Sequence, residues 1–149
     1  TRKQGVQHDL EDPEKCCDDP ESHLTCYRHH VLETSKLTAQ ALGLSRDKWA
    51  VAFQSRLGRD PWLLPSTQER LEELPKEGVK KLKIVCPSFI SDCLETLEEI
   101  EQEGKEEFLE SGGEKYDYIP CLNTNELWVT TLLQLIEEAI ERPFENVIK

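Results

Sequence analysis

Residues 82–121, LKIVCPSFISDCLETLEEIEQEGKEEFLESGGEKYDYIPC, decide the fold of this chain. Leu82–Cys86 is a β-rich run of strand length that a proline ends, and Tyr116–Cys121 is a second run of the same kind. Between them the pattern predicts one long helix over Ser91–Leu109, which two glycines end. Two strands joined by a helix predict a parallel pair with a crossover connection.

The flanking sequence extends this alternation in both directions. The predicted elements are a helix from Leu24 to Gly43, a strand over Trp49–Phe53, a short helix from Ser66 to about Pro75, and a final helix that a capping box of Asn123 and Glu126 opens and that ends near Glu141. The order α, β, α, β, α, β, α predicts an α/β, Rossmann-like three-layer domain with a short parallel sheet. Because no strand precedes the first helix and Thr1 is not a methionine, we expect a fragment that lacks its first strand.

Composition limits the class of protein and its partners. Residues 1–23 form a polar lead-in that contains cysteines, and residues 24–149 form the α/β domain. A net charge of -12 argues against nucleic acid as a partner. Six cysteines without a secretory signal predict a reducing, cytoplasmic compartment, and peripheral contact with a membrane stays open.

The predicted central helix carries a row of carboxylates. Glu95, Glu99 and Glu103 follow at i, i+4 and i+8, which places them on one helix face. Such carboxylates can hold divalent cations loosely and can accept protons. The alternative is an acidic face that only meets solvent. Glu95 lies nearest to the end of a predicted strand, where parallel sheets place their ligands.

Two further groups of residues could carry chemistry. The loop after Phe53 contains Trp62, which could stack on a flat apolar ligand or could instead pack in the core. The N-terminal thiols are Cys16, Cys17 and Cys26, and their spacing does not match a zinc finger. An iron–sulfur site and chance clustering in a loop are the two readings of these thiols.

Three motifs, in this order and spacing, resemble those of the ferrochelatase family, closest to its bacterial branch. They are FQSRLGRDPWL at residues 53–63, VCPSF at 85–89 with DCLETLEEI at 92–100, and GGEKY at 112–116 with YIPCLN at 118–123. The resemblance implies one of two similar α/β domains that hold a porphyrin in the cleft between them.

The resemblance also implies roles for the residues above. Glu95 would face the porphyrin centre as the catalytic carboxylate, and Glu99 and Glu103 would continue a row that delivers the metal or removes protons. The residues implied to line the macrocycle are Gln54, Ser55, Arg56 and Trp62. Ferrous iron would enter as a substrate, and the N-terminal chelatase half would be the partner.

The sequence departs from the family pattern at several points. The family's S-x-H-G-x-P motif, with its histidine, is not within these 149 residues and is expected to precede them, so we expect the isolated chain to be inactive. Ser88 replaces a glycine. The stretch up to Cys26 resembles an insertion that can hold a [2Fe-2S] cluster, but Asp9 and His30 stand where further cysteines are expected, which predicts a lost or altered cluster.

Two functions from different classes follow. The first is the C-terminal half of a ferrochelatase that inserts Fe(II) into protoporphyrin or coproporphyrin during haem biosynthesis. The second is a non-catalytic module of the same fold that binds a tetrapyrrole or a metal.

Overall fold

A computed structural model describes residues 20–55 and 62–141 of this chain. Its elements in chain order are α1 (Pro20–His23), α2 (Tyr27–Ala41), a 3-10 turn (Arg46–Lys48), α3 (Thr67–Glu73), β1 (Lys81–Val85), a π-helix (Glu95–Glu103), α4 (Gly104–Glu110), β2 (Lys115–Ile119) and α5 (Glu126–Glu141). None of the described helices has the length and apolar content to cross a membrane.

The two strands pair in parallel, as the sequence predicts. The register runs from Lys81 opposite Lys115 to Val85 opposite Ile119, and the π-helix with α4 forms the crossover between the strands. A parallel pair needs such a crossover because the chain must return to the same end of the sheet. The α/β class and the short parallel sheet are therefore confirmed.

The core joins this sheet to α3 and α4. Leu71 of α3, Phe108 of α4 and Tyr116 of β2 are buried together, and the rings of Phe108 and Tyr116 lie 5.9 Å apart between centroids. The half-buried side chains that surround them are Leu74, Leu82, Ile84 and Tyr118. The alternate residues of β1 therefore turn their apolar side chains toward this core.

The predicted central helix is partly a π-helix. At its C-terminal end the backbone N–H of Gly104 donates to the carbonyl of Glu99, five residues earlier. The buried hydroxyl of Tyr116 donates to the carbonyl of Ile100 at 2.5 Å and so ties the helix to β2. π-Helical turns are rare and occur often at functional sites, which directs attention to this helix.

The predicted strand over Trp49–Phe53 is wrong. Only Phe53 pairs, in an isolated parallel bridge with Ser66, so the sheet within the described residues has two strands rather than three. The N–H of Phe53 donates to the carbonyl of Pro65 at 2.9 Å, and its carbonyl accepts from the N–H of Thr67 at 3.1 Å. A β-rich run becomes a strand only where a neighbouring strand pairs along its length.

The predicted capping box at the start of α5 is also wrong. Asn125 caps this helix, because its side-chain oxygen accepts from the N–H groups of Leu127 at 3.0 Å and Trp128 at 3.4 Å. Asn123 lies earlier, with a left-handed backbone at φ +46°, and its side chain bonds to Asp92 instead. The predicted first helix begins at Tyr27 rather than Leu24.

We expect Gly104→Ala to destabilise the protein by about 1 kcal/mol in total. Alanine is the better helix former by about 1 kcal/mol, but the steric cost of its added methyl group at this position is larger. A Cβ at this buried position would lie 3.1 Å from Leu71 Cδ1, 3.1 Å from the Tyr116 hydroxyl and 3.3 Å from the Glu99 carbonyl. Urea unfolding measures the change. Lys105→Ala at the exposed neighbouring position is the control, and a Gly104→Ala variant as stable as wild type would contradict the packing described.

Candidate functional site

The candidate site lies beyond the carboxyl ends of the two strands, where the π-helix begins. Glu95 is the first residue of this helix, and Cys86 is the first residue after β1. Parallel sheets present ligand sites at this edge because side chains from successive loops converge there. The predicted acidic row therefore begins at the edge of the sheet that is suited to binding.

The structure brings the acidic row together with the loop that follows Phe53. The Ser55 hydroxyl donates to Glu95 Oε1, and the side-chain amide of Gln54 donates to Glu99 Oε2 at 2.9 Å. The indole N–H of Trp62 donates to the carbonyl of Gln54 at 3.0 Å. Two motifs that lie 40 residues apart in sequence thus form one constellation.

Trp62 is not a core residue. Trp62 is 39% exposed, so this residue remains partly accessible beside the acidic row, to which its bond with Gln54 links it. An accessible aromatic face can stack on a flat apolar ligand. This placement removes the reading in which Trp62 packs inside the domain, and its contact with a macrocycle stays a prediction.

An acidic cleft of about 480 Å³ continues from this constellation between α3 and the π-helix with α4. Its glutamates are Glu72, Glu99, Glu103, Glu106, Glu107 and Glu110, and the residues described along its walls include no lysine or arginine. Burial raises the pKa of Glu107, an effect that the neighbouring carboxylates of Glu72 and Glu103 increase and a hydrogen bond from Gln68 opposes. Repulsion among these carboxylates favours the entry of a cation or a proton into the cleft.

Asp92 holds the start of the π-helix and the turn after β2 together. Its carboxylate accepts from the side chain of Asn123 at 2.6 Å, the hydroxyl of Tyr118 at 2.6 Å and the backbone N–H of Cys121 at 3.1 Å. The bonds from Asn123 first, then those from Tyr118 and Cys121, hold the pKa of Asp92 well below its usual range. Asp92 is therefore an ionised anchor that positions Glu95, three residues further along.

Sequence reasoning missed this role for Asp92. Asp92 stood only within the motif at residues 92–100 and had no role of its own, and Asn123 was assigned to a helix cap. The signal lay in the spacing of Tyr118, Cys121 and Asn123, which follow a strand whose carboxyl end must lie beside the start of the crossover helix.

Carboxylates rather than thiolates are available to a cation at this edge. Burial raises the pKa of the Cys86 thiol to about 11, with smaller effects from Cys121 and Glu95. A protonated thiol is a poor metal ligand. Among residues 20–55 and 62–141, no group of three or more His, Cys, Asp or Glu side chains is arranged to hold a metal ion. The row of Glu95, Glu99 and Glu103 offers carboxylate oxygens at this edge, the ligand type that hard divalent cations take.

The remaining predicted residues lie apart from this site or outside the described residues. Arg56, Cys16 and Cys17 are among the residues that the structure does not describe. Cys26 is a buried, reduced thiol at the N-terminus of α2 and behaves there as a small apolar side chain. The described residues form no group that fits a [2Fe-2S] cluster, so no chemical step is assigned to one.

Comparison with known proteins shows which family this chain matches. The family model described as Ferrochelatase matches residues 9–140. Three relatives carry the name Ferrochelatase. The relative from Pseudomonas putida is 48% identical over 91% of this chain, and the one from Stutzerimonas stutzeri is 51% identical over 83%. The relative from Pseudomonas fluorescens is 49% identical over 85% of this chain. The matches cover 40%, 37% and 38% of these relatives, so the chain spans about two fifths of their length.

We expect Asp92→Asn to lower stability most at neutral pH. The folded-state pKa of Asp92 lies below the unfolded value of about 3.9, so its stabilisation is present above that value and is lost as the pH falls below about 4. Urea midpoints of wild type and variant should therefore converge in acid. Glu98→Gln, at an exposed carboxylate on the same helix, is the control, and a difference that stays constant down to pH 2 would contradict the anchoring role.

Proposed function

The chain belongs to the ferrochelatase family, and on that premise we propose that it is the C-terminal half of an enzyme that inserts Fe(II) into protoporphyrin or coproporphyrin. The observation that supports this function is the row that Glu95 begins at the carboxyl edge of the sheet. Ser55 and Gln54 hold its first two carboxylates, and the acidic cleft continues the row through Glu103. An accessible indole lies beside it.

The proposed chemistry exchanges two protons for one cation. A free-base porphyrin carries two pyrrole N–H protons, and insertion of Fe(II) releases both while four ring nitrogens take the metal. In this proposal Glu95 accepts one of the two protons, a role that its position at the ligand edge of the sheet supports, and a further carboxylate of the row accepts the other. Glu99 and Glu103 are weak oxygen ligands along which Fe(II), as a substrate, can approach.

Loose binding is an advantage for a substrate metal. A tight site of three or more ligands would hold iron against the porphyrin, whereas the described carboxylates do not form one. The protonated thiol of Cys86 likewise offers iron no strong competing ligand at neutral pH. The alternative prediction, a non-catalytic tetrapyrrole- or metal-binding module, is not favoured, since the relatives carry the name of an enzyme.

We also propose the N-terminal chelatase half as the partner of this domain. Support comes from α5, which has no buried residue although it is rich in apolar side chains. Its exposed apolar side chains are Leu127, Val129, Leu132, Leu133, Leu135, Ile136 and Ile140. Exposed apolar surface of this extent typically marks an interface. A cytoplasmic location and peripheral membrane contact stay predictions.

Glu95→Ala in the complete enzyme should lower the rate of iron insertion by about 100-fold, the range expected for loss of a positioned acid–base group. Loss of porphyrin fluorescence under anaerobic conditions with Fe(II) measures the rate. Glu98→Ala, at an exposed carboxylate of the same π-helix, is the matched control and should remain within about twofold of wild type. Equal rates for Glu95→Ala and wild type would remove Glu95 from the mechanism.

Residues 1–149 alone should insert no iron. They span about two fifths of the length of their relatives, and the family's histidine motif is not among them. The same fluorescence assay with the isolated chain checks this. Turnover by the isolated chain would show that the described carboxylates suffice without a second domain.

A further inference from the structure

We infer that Gln54 and Ser55 are positioning residues, which hold the carboxylates of Glu99 and Glu95 in place for the approaching iron. The inference rests on the proposed function and deepens it. It assigns to these two side chains contacts with the acidic row, where the family resemblance implies contacts with the macrocycle. Consecutive residues of one loop thus hold consecutive members of the row.

The base of this loop is firmly attached. Phe53 is buried, and its backbone bonds in both directions, to the carbonyl of Pro65 and from the N–H of Thr67. The carbonyl of Gln54 in turn accepts the indole N–H of Trp62 at 3.0 Å. The amide of Gln54 therefore extends toward Glu99 from a backbone that is held on both sides, which reduces the entropy lost in forming the contact.

The backbone of Ser55 has an unusual conformation, which accompanies the contact of its side chain with the acidic row. Its φ of +60° lies in the left-handed region, which residues other than glycine adopt at a cost. This conformation accompanies the hydroxyl's hydrogen bond to Glu95. Unfavourable backbone conformations of this kind persist where the surrounding contacts over-determine them. The contacts here are the paired backbone of Phe53, the bond that the Gln54 carbonyl accepts, and the bond from Ser55 itself to Glu95.

The chemistry of the two donors suits a row that must remain negative. An amide and a hydroxyl orient a carboxylate through hydrogen bonds but add no positive charge, whereas a lysine or arginine would compete with the cation. Each carboxylate has two oxygens, so a donor that occupies one of them leaves the other for a metal ion. Gln54 and Ser55 therefore order Glu99 and Glu95 without neutralising them.

A positioning role and a direct contact with the porphyrin predict different effects when the side chain is truncated. A residue that binds the macrocycle affects porphyrin affinity when truncated. A residue that orients a metal-carrying carboxylate affects the KM for Fe(II) and leaves porphyrin affinity nearly unchanged. The two parameters can be measured separately, because porphyrin binding needs no metal.

The first experiment uses the complete enzyme with Gln54→Ala and Ser55→Ala. Each should raise the KM for Fe(II) about tenfold, the effect expected for loss of a hydrogen bond to a charged group, and should change the porphyrin dissociation constant less than about twofold. Gln102→Ala, at an exposed glutamine of the same π-helix, is the matched control. Weaker porphyrin binding with an unchanged KM for Fe(II) would overturn the inference.

A second measurement detects the hydrogen bond between Gln54 and Glu99 without enzyme turnover. In ¹⁵N–¹H spectra the side-chain amide resonances of Gln54 should shift on Glu99→Ala and stay in place on Glu103→Ala. If the amide responds in this way but no iron is inserted, the proposed function fails and the contact stands. If iron is inserted but the amide does not respond to Glu99→Ala, the positioning role is overturned and the function stands.

Discussion

The buried hydrogen bond from the Tyr116 hydroxyl to the carbonyl of Ile100 is the interaction on which the rest of the structure depends. It fastens the crossover helix to β2 inside the core, at the place where Gly104 allows Leu71 and Tyr116 to approach the helix backbone. Burial raises the pKa of Tyr116, so its hydroxyl keeps the proton that it donates. Because the π-helix is held at this point, the turn that carries Glu95 and Glu99 is attached to β2.

Like-charged side chains on one helix face destabilise it, and this domain offsets the effect with neutral donors and one anchored carboxylate. Gln54 and Ser55 bond to Glu99 and Glu95 from outside the helix, and Asp92 fixes its start through Tyr118 and Asn123. Burial and the bond to Asp92 raise the pKa of Tyr118, which therefore remains a donor. The row is thus ordered without a compensating cation, the condition in which it can receive one.

Sequence reasoning predicted the parts of this fold that local patterns determine. β1, β2 and α5 have strong periodic or β-rich signals and are confirmed. The strand over Trp49–Phe53 was wrong because pairing is a tertiary property, and the π-helix was missed because its hydrogen-bond register leaves little trace in apolar spacing. The carboxylate row and the loop were both predicted, but their direct contact depends on the backbone at Ser55, which no residue pattern specifies.

Anomalous diffraction from crystals of the complete protein soaked in Co(II), as a stand-in for Fe(II), would show whether a metal ion contacts the acidic row. We expect partially occupied metal peaks along Glu95, Glu99 and Glu103, with their free oxygens as ligands. Gln54 and Ser55 should remain bonded to Glu99 and Glu95. Partial occupancy is expected because separate carboxylates hold divalent cations only loosely. Full occupancy at the thiols of Cys86 and Cys121, with no metal along the row, would contradict this expectation.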